Sequence, residues 1–308
     1  MREGDFIEAL SRIHGNTPYL ADAETVPFEG TFLLLSVDSF SEREDFLSSL
    51  PPEAIGRQMA RAACSDLLAC GAMPEFLLQN WCYDSSHDIE FYLKIANGIE
   101  SVLKHYGTQC IGGDVGTASE WCWTATTFGR SQSPVTRVAS SKVPFDLYTT
   151  GLFGMANAAV FRGLPQPELP LRHPVPQGTL FATDSSGGLF DALENFRRVN
   201  RGMHIEIDAD KAISAAARNS LPHEAEAGWM LVGGVGEYEL IFAVPTGTPC
   251  PNAVRIGGGY FRDSQENDFR ITCDGRHGTM VSPPPDYREI AREEWVATTA
   301  RYWESLFE

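Results

Sequence analysis

Four short segments each bring an aspartate to what reads as a strand end, a helix face or a turn: Asp22 in YLADAET, Asp38 in LLLSVDSF, Asp66 in ACSDLLACG and Asp114 in CIGGDVG. Carboxylates gathered from separate segments repel one another unless a cation sits between them. Magnesium with a nucleotide phosphate is the economical explanation, since Mg2+ is commonly held by one or two carboxylates together with substrate phosphates. Taken singly, the residues differ in what they say. Asp38 would serve equally well as a cap or turn residue, and the GGD of residues 112–114, taken alone, reads as a hairpin turn before it reads as a site. Asp66 is more telling, because it falls on the mostly apolar side of a helical segment, where an unpaired carboxylate is costly, and Ser65 beside it offers a hydroxyl. His14, His87, His105 and His173 have no partners at ligand spacing and read as surface or structural residues.

The elements that must position these residues follow from periodicity. Residues 5–14 carry Phe6, Ile7, Leu10 and Ile13 at helical spacing. Residues 31–37 (TFLLLSV) suit a buried strand that delivers Asp38 at its C-terminal end. Pro51 and Pro52 can start a helix in which Ile55, Met59, Ala62, Ala63 and Asp66 fall near one face. A second helix over residues 87–106 has Ile89, Leu93, Ile95, Ile99 and Val102 as its stripe and Gly107 as its stop. QCIGGDVG reads as a strand ending in a glycine turn, and WCWTATTFG as a strand on which Trp121 and Trp123 cover a sheet or a dimer surface. The domain boundary is placed in the polar stretch 131–142, giving domains 1–140 and 141–308. In the second, TTGLFGMAN is a glycine loop before a helix, where Phe153 and Met155 either cover a substrate or pack in the core. Residues 165–176, with five prolines, read as a surface connection. LFATDSSGGLFDALENF reads as strand, turn and helix, and WMLVGGVGEYELIFAVP as strand, glycine turn and strand.

Composition narrows the function classes. The 308 residues carry 41 Asp+Glu against 24 Lys+Arg, a net charge of −17. Such a surface repels the phosphodiester backbone and anionic lipid, so neither nucleic acid nor membrane is an expected partner. No run approaches the roughly 20 apolar residues that span a bilayer, and the N-terminus has no signal-peptide core. Seven cysteines without a CxxC pair fit free thiols in a reducing cytoplasm.

The order and spacing of the motifs resemble the thiamine-monophosphate kinases, within the superfamily of aminoimidazole ribonucleotide synthetase-like (PurM-like) proteins. VDSFSEREDF resembles T-D-x-x-x-E-x-x-H-F, with Asp38, Glu42 and Phe46 retained. PPEAIGRQMARAACSDLLACGAMP is similar to D-P-x-x-I-G-x-K-A-x-A-x-N-x-S-D-x-A-A-M-G-A-x-P. IGGDVG matches G-G-D, while TDSSGGL and GGVGEYELIF resemble D-x-S-D-G-L and G-G-E-D-Y-E-L-L-F. The resemblance implies a two-domain α/β (α+β) fold whose N-terminal domain pairs with its twin to form a dimeric β-barrel, with a C-terminal α/β domain packed against it. It also implies ATP and Mg2+ as cofactors. Asp22, Asp38, Asp66, Asp114 and Asp184 would hold metal, and Asp66 and Asp114 would be the catalytic pair. Ser65, Gly112, Gly113 and Asp114 would meet the nucleotide, the glycines letting backbone approach phosphate.

This sequence departs from the family pattern at several positions. Ala23 replaces the second aspartate of G-D-D-A-A, Ala63 the asparagine before S-D, Gly187 the later aspartate of D-x-S-D-G-L, and Asp45 the histidine of E-x-x-H-F. Val235, Gly236 and Glu237 stand where the family reads G-E-D. Two expected metal carboxylates are thus absent, with Asp45, Asp184 or Glu237 as possible compensation. The expected function is an ATP- and Mg-dependent phosphotransferase acting on a small-molecule acceptor, a metabolite other than thiamine phosphate being expected ahead of thiamine phosphate itself. The alternatives are a catalytically degenerate nucleotide-binding or structural partner, and a synthetase or ligase that activates an amide or carboxylate oxygen.

Overall fold

The alternating and helical periodicities sort the chain into two sheets with helices between and around them. The computed structural model describes residues 3–45, 47–164, 166–220, 228–286 and 290–308; Phe46, one of the motif residues, lies outside them. After helix α1 (Glu3–His14), the first sheet contains β1 (Glu24–Phe28), β2 (Thr31–Ser41), β3 (Pro74–Tyr83), β4 (Gln109–Thr117) and β5 (Cys122–Ser131), in the order β1-β2-β5-β3-β4. Buried and half-buried residues alternate along β5, as expected of a strand with one packed face. That face is covered by α2 (Pro52–Ala69) and α3 (Ile89–Tyr106). Pro52 opens α2, where its missing N–H costs nothing. Asp88 caps α3 by accepting from the Phe91 N–H. The two helices touch backbone to backbone at a glycine pair: a Cβ on Gly56 would lie 2.0 Å from the Ile95 carbonyl oxygen, and one on Gly98 2.1 Å from that of Glu53.

The second sheet is built from β6 (Phe145–Thr149), β7 (Phe181–Thr183), β8 (Met203–Asp208), β9 (Ile241–Pro245), β10 (Val254–Phe261), β11 (Asp268–Cys273) and β12 (Arg276–Thr279), ordered β12-β11-β8-β10-β6-β9-β7. Its helices are α4 (Met155–Arg162), α5 (Gly188–Val199), α6 (Ala209–Ala212), α7 (Ala215–Ser220), α8 (Trp229–Val232) and α9 (Arg292–Ser305). Strands β6, β7 and β9 are buried on both faces apart from Pro245, and the burial takes in the polar Asp146 and Thr149 of β6. Phe145, Leu147, Phe181 and Ile241 pack into a core with α5, α8 and α9. Tyr148, Ala182, Phe242 and Val244 join the core beneath the first sheet, so the two halves share packed side chains.

Several expectations need correction. β2 continues to Ser41, so Asp38 sits inside the strand rather than at its end. β4 runs straight through Gly112–Asp114, with a bulge opposite Leu77 and Leu78 in place of a turn. WMLV is the short helix α8, since an apolar run of that length does not by itself distinguish strand from helix. Phe6, Leu10 and Ile13 of α1 are exposed, as are Ile89 and Leu93 of α3. Trp121 and Trp123 are fully buried, Trp123 covering the helix-facing side of the first sheet, so neither lies on a surface open to a second copy. The proline-rich segment is a tie between the two halves. Glu168 pairs with Arg57 at 2.7 Å and Arg61 at 2.6 Å, Leu169 N–H donates to Gln58, and Val175 N–H donates to the Leu68 carbonyl.

Candidate active site

Asp66 projects from α2 toward β2, where the Ser36 hydroxyl donates to its Oδ2. Asp38 lies two residues beyond Ser36 and so shares the helix-facing side of the strand. Asp22 arrives from the loop before β1. The Arg137 guanidinium donates to its Oδ1 at 2.5 Å and the Thr183 hydroxyl donates to the same oxygen at 2.8 Å. Asp184 follows β7 directly, and the buried Ser65 hydroxyl donates to its Oδ2 at 2.5 Å. One carboxylate oxygen from each of Asp22, Asp66 and Asp184 falls within 4.8 Å of the others. Residues more than a hundred positions apart thus meet where the two halves join.

The electrostatics are those of crowded, desolvated acids. Burial pushes Asp22 up to about 6 against the pull of Arg137, with Asp184 adding repulsion. Asp38 is pushed up to about 7 by burial and by the charges of Asp184, Asp45 and Asp22. Asp66 is raised well above the usual carboxylate range by burial, then by Asp38, Asp184 and Asp22. Oδ2 of Asp22 is buried and has no hydrogen-bond partner. Three carboxylates, one with an unsatisfied oxygen, form a hard-oxygen donor set that fits Mg2+ or Mn2+. Asp22, Asp66 and Asp184 would hold the ion, with Asp38 beside them.

Other expected residues lie elsewhere or have other duties. Asp114 is exposed on β4 opposite Asn80, outside the three-carboxylate group. Gly113 is demanded by the sheet itself, because a Cβ there would lie 1.8 Å from the Gln79 carbonyl oxygen, whereas Gly112, with φ +134°, faces open space. Glu237 does not stand in for a lost metal carboxylate. It accepts from the N–H groups of Gly154 and Ala156 at 2.8 Å each and so occupies the start of α4. The TTGLFGMAN loop is therefore closed to an anion there, and Phe153 is core. Asp45 accepts from the Ser41 N–H. His87 is held by Asp84 at 3.1 Å and stacks on Phe91.

Sequence reasoning missed Arg137, the cation that holds Asp22. It sits in a polar stretch with no periodicity to mark which way it points.

A small cavity adjoins this region, and a larger one shares Gln166 with it. The larger, of 720 Å3, is walled by Glu42, Asp84, Glu120 and Gln166 among others. The smaller, of 40 Å3, is walled by Gln166, Asp45, Ser186 and Tyr238, beside the loop that carries Asp184.

Comparison with known proteins agrees with this architecture. Residues 21–131 match the family model for the AIR synthase related protein, N-terminal domain. A thiamine-monophosphate kinase of Archaeoglobus fulgidus is 27% identical over 301 residues, covering 89% of this chain and 97% of that protein. Among solved structures, AaThiL complexed with AMPPCP and TMP superposes with a TM-score of 0.74 at 20% identity, covering 90% of this chain and 96% of that one. HypE of E. coli superposes with a TM-score of 0.65 at 18% identity, covering 92% and 99%. The site lies where the motif-bearing segments converge: residues 21–131 match the AIR synthase related N-terminal domain, and the chain is similar over most of its length to thiamine-monophosphate kinases.

Proposed function

We propose that this protein is an ATP- and magnesium-dependent phosphotransferase acting on a small-molecule acceptor, with residues 1–140 as the nucleotide-binding half and 141–308 as the second. The observation that carries this reading is the convergence of Asp22, Asp66 and Asp184 within 4.8 Å. Phosphoryl transfer asks little covalent chemistry of a protein: it needs reactants in line and cations that neutralise the charge on the transferred group. When bound, the metal supplies that neutralisation. This chain's residues orient it, with Arg137 fixing Asp22, Ser36 fixing Asp66 and Ser65 fixing Asp184. The larger cavity gives an acceptor room, and it shares Gln166 with the small cavity beside the Asp184 loop. The similarity to thiamine-monophosphate kinases, one of them solved with AMPPCP and TMP, supports ATP as donor and makes thiamine monophosphate the first acceptor to try.

The same reading has the first sheet pair with a second copy, in the manner of a closed barrel. Support comes from its outer side, where Val37 is 64% and Val115 66% exposed, with Phe28, Phe76, Leu78 and Ile111 also open to solvent.

The decisive experiment is calorimetric titration with AMPPCP with and without Mg2+, followed by ATP turnover on thiamine monophosphate and a panel of small metabolites. Mg-dependent binding with turnover on any acceptor supports the reading. Binding without turnover on the whole panel points to a nucleotide-binding partner, and absence of binding in both conditions refutes it.

A further inference from the structure

Helix α5 starts at Gly188, with Gly187 as its cap, and carries Asp191 in its first turn. Gly187 has φ −98°, a conformation open to every residue, so its backbone does not demand glycine. Space does. A Cβ at this position would lie 2.5 Å from Oδ2 and 2.6 Å from Cγ of Asp191. Side chains on a helix lean toward its N-terminus, and the Asp191 carboxyl folds back over the cap into the volume that a side chain at 187 would fill. One of its oxygens stands from that Cβ at about the distance at which an aspartate rooted at 187 would hold its own oxygen. The carboxyl feels the charges of Arg137, which holds Asp22, and of Asp184, a member of the three-carboxylate group.

We propose that Asp191 is a fourth carboxylate of the cation site, delivered from one helical turn beyond the position where the related motif has its second aspartate, and that Gly187 is the residue that admits it. The inference rests on reading Asp22, Asp66 and Asp184 as a divalent-cation site. An independent observation also points to a ligand there: the Asp22 side chain is 1% exposed and its Oδ2 is unpartnered. The loss at position 187 is thereby a relocation of charge.

The test is Mn2+ binding to the full chain, read by calorimetry and by the electron paramagnetic resonance signal of free Mn2+. Asp191→Asn should weaken binding by about ten- to a hundredfold. Gly187→Ala should weaken it comparably although no charge changes, because the added methyl group displaces the carboxyl. The double variant Gly187→Asp/Asp191→Asn should return the affinity close to wild type, which a purely structural role for Asp191 would not produce. Circular dichroism melts establish that each variant is folded, and should Asp191→Asn fail to fold, the other two variants decide. Wild-type binding with unchanged affinity in the folded variants overturns the inference and leaves the cation-site reading standing. Failure of the wild type to bind Mn2+ overturns both.

Discussion

Arg137 donates to Oδ1 of Asp22 at 2.5 Å and leaves Oδ2 of the same buried carboxylate without a partner. One oxygen is spent on holding the group in place, and the other remains for a cation. Removing one member of a buried pair typically costs about 3–5 kcal/mol, because the survivor is left charged and desolvated. Arg137→Met should therefore lose stability on that scale in EDTA, and Mg2+ should restore more to the variant than it adds to wild type. Urea denaturation with and without Mg2+ checks this. An unchanged midpoint in EDTA would show that the pair does not hold the loop before β1.

Asp66 is a burden to the metal-free fold, since burial and three neighbouring acids all oppose its ionisation. Asp66→Asn keeps an oxygen for the Ser36 hydroxyl while removing the charge. The metal-free variant should be more stable than wild type by about 0.5–2 kcal/mol, as when a strained functional group is relieved, while Mg-dependent nucleotide binding is lost. Thermal melts paired with AMPPCP titration test it. A destabilised variant that still binds nucleotide would contradict the arrangement on both counts.

The pH dependence has a definite sign. Asp22 and Asp38 have folded-state values of about 6 and about 7, above the ordinary 3.8. Groups with raised values stabilise the fold fully below the ordinary value and lose that contribution as pH climbs through the folded one. Metal-free protein should therefore melt at progressively lower temperature from about pH 4 to about pH 7, the interval between the ordinary and the folded-state values. Mg2+ should raise the melting temperature more at the upper end, where the ligands are free to ionise. An equal increment at both ends would argue against these carboxylates as the binding site.

Asp114 stands exposed on edge strand β4, so under the pairing reading it reaches a nucleotide from a neighbouring copy. Asp66→Asn and Asp114→Asn should each be inactive alone. Mixed and allowed to exchange, they should recover about a quarter of wild-type activity, because half the pairs are mixed and each mixed pair has one intact site. No recovery on mixing would place both residues in one copy's site or remove Asp114 from it.

Much of the framework was legible in the chain. The helical stripe of α2 put Asp66 on a face that had to be buried, and the apolar run 31–37 marked the strand that carries Asp38, though not that Ser36 and Asp38 share its helix-facing side. Local spacing decides which face of a helix a residue occupies, so the placement of Asp66 follows from neighbours alone. Spacing does not decide how far a strand continues, and β2 and β4 both run past the points where they were expected to stop. Nor does it decide what fills a gap between distant segments. The meeting of Asp22 with Thr183 and Arg137, the diversion of Glu237 to the start of α4, and the entry of Asp191 above Gly187 depend on how the two sheets pack. The sequence by itself determined which residue types were available to bind a cation. The tertiary structure chose among them, because burial and mutual repulsion are properties of packed neighbours and no local pattern encodes them.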